Sequence, residues 1–155
     1  MVASLLVALS ACSLDATPNV RIVSSSPVMT DAANQWLDLG YLAGPTDAPE
    51  CGDVRDALAG EPCAVAIVVE RWPMLKERYG VYAMADRETR LVIIDDRFTD
   101  YYDLLTMATH EIGHILLDAG HLPPGEVGVM SASGVGWEPT AADYALACRS
   151  VGAGC

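Results

Sequence analysis

The sequence HEIGHILLDAGH, residues 110–121, contains all three histidines of this 155-residue chain. Apolar residues in and before it recur at helical spacing and predict an amphipathic helix over Tyr101–Leu117. They are Leu105, Ala108, Ile112, Ile115 and Leu116. Residues four apart on a helix lie one turn apart on the same face. The imidazoles of His110 and His114 are therefore placed to bind one metal ion together.

Glu111 completes the pattern His-Glu-x-x-His. On a helix, this pattern binds zinc through its histidines, and its glutamate acts as general base towards a zinc-activated water. The chain has few histidines, so an accidental match is rare. The sequence therefore predicts a zinc-dependent hydrolase in which Glu111 is the catalytic residue and Zn2+ is the cofactor.

A third protein ligand is expected, because catalytic zinc takes three protein ligands and keeps one position open. His121 is the favoured candidate. Asp118 would lie about 12 Å along a straight helix from His110, beyond the reach of a short side chain. Glu126 and Glu138 are acids further downstream, and a ligand at Glu138 would indicate a gluzincin-like arrangement.

The segment GVYAMADRETRLVIIDDRFTDYYDLLTMATHEIGHILLDAGH, residues 80–121, is followed by GVM at residues 128–130. Together they resemble the catalytic domain of metzincin zinc metallopeptidases of the matrixin type, over roughly residues 65–149. The resemblance implies an α+β, zincin-like fold with a small sheet, an active-site helix and a C-terminal helix at Pro139–Arg149. It also implies that LVIIDD, residues 91–96, is the substrate-binding edge strand and that Met130 forms the Met-turn. The implied substrate is a protein or peptide.

The chain departs from the metzincin pattern His-Glu-x-x-His-x-x-Gly-x-x-His. Leu117 stands where the pattern has glycine, and the third histidine comes one residue late. We expect Gly120 to adopt the left-handed conformation that ends many helices. That turn would direct His121 back towards the metal.

The N-terminal residues MVASLLVALSAC, 1–12, form a short apolar run that ends in small residues, as a secretory signal peptide does. The end, LSAC, resembles the lipobox of bacterial lipoproteins, whose cysteine is lipidated; here that is Cys12. We expect a signal peptide at 1–12, a tether at 13–19 and the metallopeptidase domain at 20–155. The expected location is the cell envelope, lipid-anchored in the outer membrane or at the cell surface. The alternative is a buried N-terminal strand or helix with an ordinary cysteine.

Five cysteines are an odd number for an exported protein. If Cys12 carries lipid, four remain, and four cysteines allow three connectivities. We prefer the local pairs Cys51–Cys63 and Cys148–Cys155, because each closes a short loop. The chain has no Cys-x-x-Cys pair, which argues against a cysteine-based zinc site.

The composition excludes some classes of partner. The net charge is −12, with only 9 Lys and Arg and a pI of about 4.3. Nucleic-acid-binding proteins show the opposite balance, so no nucleic-acid partner is expected. A length of 155 residues with 52% hydrophobic residues suits a single domain with a real core, and a monomer is expected.

Further elements follow from periodicity and capping residues. Thr30 or Asp31 is expected to cap a helix that ends at Gly40, and Asp100 or Asp103 to cap the active-site helix. Alternating or continuous β-branched runs predict the strands. The additional predicted elements are Val20–Pro27, Cys63–Arg71, Val81–Ala85 and Leu91–Asp95 as strands, and Ala32–Leu39 as a helix.

Two interpretations compete with a zinc endopeptidase. A gluzincin-like peptidase would draw a glutamate ligand from downstream. A non-catalytic metal-binding lipoprotein would keep the histidines and lack turnover. The intact Glu111 argues against the latter, because a site that only binds metal needs no base.

Overall fold

The computed structural model describes residues 19–24, 26–37, 40–44, 46–58, 61–133 and 136–151. The predicted signal peptide, with Cys12, lies outside these residues, as does the predicted tether except Asn19, which belongs to the first strand. The elements in chain order are β1 (Asn19–Val23), α1 (Pro27–Asn34), β2 (Leu42–Ala43), α2 (Val54–Leu58), β3 (Ala64–Trp72), α3 (Leu75–Tyr79), β4 (Ala83–Asp86), β5 (Leu91–Asp95), α4 (Tyr101–Leu116) and α5 (Ala141–Val151). The predicted α+β class is confirmed.

A five-stranded sheet with the order β2-β1-β3-β5-β4 forms one layer of the fold. Strands β2, β1, β3 and β5 run parallel to one another, and β4 runs antiparallel to β5. β3 is the central strand, and its first four residues are all buried. This burial agrees with the unbroken apolar run of its sequence, which is typical of an interior strand.

The sheet edge beside α4 is β4, so the expectation that residues 91–96 form the edge strand is wrong. β5 lies between β3 and β4, where Val92 pairs with Val69 on one side and Ala85 on the other. Residues 92–95 are all buried, whereas β4 alternates between half-buried and exposed positions. Alternation is typical of a strand covered on one face, and the continuous run LVIID indicates an interior one.

α4 packs across the sheet and against α1, and these contacts enclose most of the core. Leu116 is fully buried and ends the helix one residue earlier than predicted. Two aromatic side chains bind carbonyl groups of α4. Trp36 Nε1 donates to the carbonyl oxygen of Thr109 at 3.2 Å. The Tyr41 hydroxyl donates to the carbonyl oxygen of Leu116 at 2.5 Å. These two hydrogen bonds join the first part of the chain to the helix that carries His110 and His114.

The first helix begins earlier than predicted. α1 spans Pro27–Asn34, not Ala32–Leu39, with Pro27 in its first turn. Proline suits that position because its φ is already helical and its missing N–H costs nothing there. α2 and α3 were not predicted, because each has only five residues, too few to show periodicity. None of the helices described is long and apolar enough to cross a membrane.

Cys51 and Cys63 form a disulfide, with Cα atoms 5.0 Å apart. The predicted local pair is therefore confirmed, and α2 lies in the loop that it closes. Cys148 is disulfide-bonded as well. Its predicted partner, Cys155, lies outside the described residues, so that pairing stays a prediction.

Candidate metal centre

The three histidines converge beside the C-terminal half of α4. The side chain of Asp100 caps the start of α4, where it accepts hydrogen bonds from the backbone N–H groups of Tyr102 and Asp103. Of the two residues predicted to cap this helix, Asp100 is confirmed. His110 and His114 lie one turn apart and line a cleft together with β4. His121 approaches them from the loop that follows the helix.

The ring nitrogens are close enough to share one ion. Nε2 of His110 lies 3.2 Å from Nε2 of His114 and 3.2 Å from Nε2 of His121. The candidate ligand atoms all lie within 4.8 Å of one another. Zinc binds imidazole nitrogen at about 2.0–2.1 Å in tetrahedral geometry, which places two such nitrogens about 3.3 Å apart. The observed separations fit that geometry.

Two backbone carbonyl groups fix the tautomers of two histidines. Nδ1 of His110 lies 2.5 Å from the carbonyl oxygen of Val129, and Nδ1 of His114 lies 2.8 Å from that of Ala119. Because a carbonyl oxygen only accepts hydrogen bonds, each Nδ1 carries the hydrogen. In the neutral rings each Nε2 then presents a lone pair. Two lone pairs 3.2 Å apart repel unless a cation lies between them, which is the arrangement of metal-binding histidines.

Burial favours the neutral form of both imidazoles. It is the largest cause that lowers the pKa of His110 below its ordinary value and the pKa of His114 to about 4, and neighbouring histidines add to both shifts. The hydrogen bonds to backbone carbonyl groups act in the opposite direction. Neutral imidazole is the form that binds metal, so no proton has to be displaced from either ring at neutral pH.

Glu111 lines the same cleft as the histidines, although only 8% of its surface is exposed. Burial raises the pKa of its carboxyl group to about 7. A group with a pKa near neutrality can both accept and return a proton.

The turn towards His121 is made by Asp118, so the expectation that Gly120 is left-handed is wrong. Asp118 has a φ of 46°, and Gly120 is not among the residues with positive φ. Asp118 follows Leu117, the C-cap of α4, and this is the position at which a left-handed residue ends many helices. Aspartate adopts that conformation more readily than most residues.

The rival ligands lie apart from the cluster. In the part of the chain that the structure describes, the side chains close enough to hold an ion together are those of the three histidines. Asp118 instead binds Arg55 and Arg87. Glu126 and Glu138 are exposed and do not join the cluster.

Met130, the predicted Met-turn residue, is fully buried against α4. A Cβ atom placed on Gly113 would lie 2.5 Å from its Sδ atom. The sulfur therefore contacts the helix directly beside His114, and glycine at position 113 permits that approach.

A buried carboxylate holds this segment in place. Asp143, in the first turn of α5, is fully buried. Its oxygens accept hydrogen bonds from the backbone N–H groups of Val129 at 3.0 Å and Met130 at 2.8 Å. It also accepts from the N–H of Thr140 at 2.7 Å. Asp143 thus positions the same residue, Val129, whose carbonyl group orients His110. From the sequence, Asp143 is expected only as an acid in the first turn of the last helix, where the helix dipole favours it.

A cleft of about 510 Å³ opens beside the histidines, between β4 and the loop after α4. A second pocket of about 250 Å³ is lined by Tyr82, Met107 and Ser133, and it shares His110 and Glu111 with the cleft. The candidate ligands therefore face a space that a substrate can enter.

A scan against models of known protein families gave no match, and a search of curated protein sequences gave none either.

Proposed function

We propose that this chain is a zinc-dependent endopeptidase with a metzincin-like catalytic domain. The observation that carries the proposal is the convergence of three imidazoles, two of which direct Nε2 lone pairs at each other across 3.2 Å. His110, His114 and His121 would hold Zn2+, and Glu111 would act as general base.

The arrangement suits a catalytic zinc better than a structural one. Structural zinc has four protein ligands, whereas catalytic zinc has three and an open position. Three candidate ligands come together among the described residues, and they border a cleft of about 510 Å³. Gly120 and His121 are exposed, so this side is open to an approaching substrate.

β4 offers a binding surface for an extended peptide. Among the described strands it pairs with β5 alone, and it lines the cleft through Ala83, Met84 and Ala85. An unpaired sheet edge binds extended peptides through main-chain hydrogen bonds. A peptide bound there would pass beside the three histidines, which supports a protein or peptide as substrate.

The chemistry divides between the ion and the chain. When bound, Zn2+ would polarise the scissile carbonyl group and acidify a water molecule. Glu111 would accept a proton from the attacking water and transfer it to the amine of the leaving fragment. The carbonyl groups of Val129 and Ala119 would keep the two imidazoles of α4 in the orientation that presents Nε2.

The decisive variant is Glu111→Gln, which keeps the size of the side chain and removes the base. It should fold, retain zinc and lose hydrolysis of casein or a mixed peptide library by about 100-fold or more. Glu138→Gln is the matched control, because it makes the same chemical change at an exposed acid. It should leave both zinc content and activity unchanged.

Each alternative predicts a different result. Equal cleavage by wild type and Glu111→Gln would refute the general-base role. A wild type that binds zinc but cleaves nothing across a broad library would favour the non-catalytic metal-binding protein. Loss of zinc from Glu138→Gln would favour the gluzincin-like arrangement.

We also propose that the domain is exported and anchored through lipid on Cys12. The support is the sequence of residues 1–12, together with the Cys51–Cys63 disulfide, since such bonds persist in oxidising compartments. Wild type should label with palmitate in a Gram-negative host and partition into detergent, and Cys12→Ala should do neither. A soluble, unlabelled wild type would refute the anchor.

A further inference from the structure

Asp118 occupies the point at which α4 gives way to the loop that carries His121. Its φ of 46° is a left-handed conformation that glycine adopts more easily. The next residue, Ala119, supplies the carbonyl oxygen that accepts the hydrogen bond from His114 Nδ1 at 2.8 Å. The backbone direction at Asp118 therefore affects one candidate ligand through that carbonyl group and another, His121, through the path of the loop.

Two arginines from different parts of the fold bind the Asp118 carboxylate. Nη2 of Arg55, on α2, lies 2.6 Å from Oδ2, and Nη1 of Arg87, just after β4, lies 3.5 Å from Oδ1. Each carboxylate oxygen thus has a guanidinium partner of its own. The side chain of Asp118 is 35% exposed, and those of Arg55 and Arg87 are 62% and 52% exposed, so solvent screens both pairs and each contributes modestly.

The segment that carries Arg55 is itself fixed. α2 lies in the loop closed by the Cys51–Cys63 disulfide. The guanidinium of Arg90 donates to the carbonyl oxygens of Cys51 at 2.9 Å and Gly52 at 2.6 Å. The backbone that carries Arg55 is therefore held in place by the disulfide and by the hydrogen bonds from Arg90.

We infer that Asp118 is a positioning residue for the metal centre. The bridge Arg55–Asp118–Arg87 holds residue 118 left-handed, and this conformation keeps the Ala119 carbonyl group on His114 and directs His121 to the other two imidazoles. At this position, where many helices have a left-handed glycine, the chain has an aspartate whose side chain is bound by two arginines. The inference rests on the proposed metal centre, but it does not depend on peptidase activity.

Gly120 provides a control within the same loop. Its φ is not positive, and a Cβ atom placed on it would meet nothing within 4 Å. Gly120→Ala should therefore leave the loop unchanged. Arg21→Ala removes one positive charge elsewhere, at an arginine of β1 that pairs with Glu50 at 3.8 Å.

The test measures the zinc dissociation constant by chelator competition and the visible spectrum of the Co2+-substituted protein, whose bands depend on coordination geometry. Asp118→Ala should weaken zinc binding about 10-fold or more and alter the cobalt spectrum. Arg55→Ala should weaken binding about 3-fold, the scale of a partly exposed ion pair. Gly120→Ala and Arg21→Ala should match wild type in both measurements.

A further variant, Asp118→Gly, separates backbone conformation from the bridge. Glycine permits the left-handed conformation but cannot bind the arginines, so its zinc affinity should fall between wild type and Asp118→Ala. Full affinity in Asp118→Gly would overturn the role of the bridge.

Other outcomes decide the rest. Wild-type affinity and spectrum in both Asp118→Ala and Arg55→Ala would overturn the inference, and so would a lower melting temperature of Asp118→Ala with an unchanged spectrum and affinity. A wild type that binds no zinc would overturn the metal centre and the inference together. The expected pattern in a protein that cleaves no peptide would support the inference and refute the peptidase.

Discussion

The segment that carries Val129 and Met130 depends on one buried carboxylate, and Asp143→Asn should destabilise both the fold and the metal centre. Oδ2 of Asp143 accepts from the N–H groups of Val129 and Thr140 and from the Thr140 hydroxyl at 3.0 Å, and Oδ1 accepts from the N–H of Met130. Asparagine has one oxygen and one NH2 group in the same space. If its oxygen accepts from the donors that now bind Oδ2, its NH2 group faces the N–H of Met130, and that buried donor loses its partner.

The cost follows from these contacts. An orphaned buried donor costs about 1–3 kcal/mol, and the hydrogen bonds that remain to the other oxygen lose their charge assistance at about 1–2 kcal/mol in total. The expected loss in free energy of unfolding is therefore about 3 kcal/mol, or a melting temperature lower by about 10 °C for a domain of this size. Because the Val129 carbonyl group orients His110, zinc affinity should also fall about 10-fold or more.

Urea denaturation, monitored by circular dichroism with chelator present for every protein, measures the free energy of unfolding without the metal. Chelator competition measures the affinity. Asp96→Asn is the matched control, because it makes the same change at an exposed site, where about 0.5 kcal/mol is the most expected. If Asp143→Asn were as stable as that control and kept wild-type zinc affinity, the positioning role of Asp143 would be refuted.

Three further perturbations test the fold. Gly113→Ala should cost about 1–3 kcal/mol of stability in chemical denaturation, since its Cβ would lie 2.5 Å from both Met130 Sδ and Trp36 Cζ2; a cost no larger than that of Gly120→Ala would contradict this packing. The double variant Cys51→Ser/Cys63→Ser should lose about 2–4 kcal/mol, and a thermal midpoint equal to that of wild type would show that the loop does not depend on its disulfide. The pKa of Asp95 lies below its ordinary value, chiefly through its hydrogen bond with Arg97. Its stabilising contribution is therefore complete above about pH 4 and declines as pH falls below that value. Asp95→Asn should be less stable than wild type at pH 7, with a gap that narrows in acid; a gap independent of pH would contradict this.

The features that local sequence dictates could be predicted. α4 follows from apolar spacing and an aspartate cap, and it sets His110 and His114 on one face with Glu111 beside them. β3 follows from a continuous apolar run, and the Cys51–Cys63 bond from the short loop that it closes. In each case the deciding residues are close in the chain, so pattern and spacing carry the information.

The features that the sequence did not reveal depend on contacts between distant residues. The Arg55–Asp118 pair joins residues 63 apart in sequence, and the Tyr41 hydroxyl binds a carbonyl group 75 residues away. No local pattern predicts such pairs, so sequence alone indicates Gly120 as the turn residue and does not reveal the contacts of Asp118. Asp143 has a local signal, an acid at the start of a helix. Its contacts with Val129 and Met130, however, exist only once α5 has packed against the loop.

His110, His114 and His121 are expected to hold one zinc ion and leave a position open. X-ray absorption at the zinc edge of the loaded wild type and of His121→Ala tests this expectation most directly. We expect three imidazole nitrogens at about 2.0–2.1 Å with an additional oxygen ligand in wild type, and one imidazole fewer, with much lower zinc occupancy, in the variant. A wild-type spectrum with two imidazoles and a protein carboxylate, unchanged by His121→Ala, would contradict it.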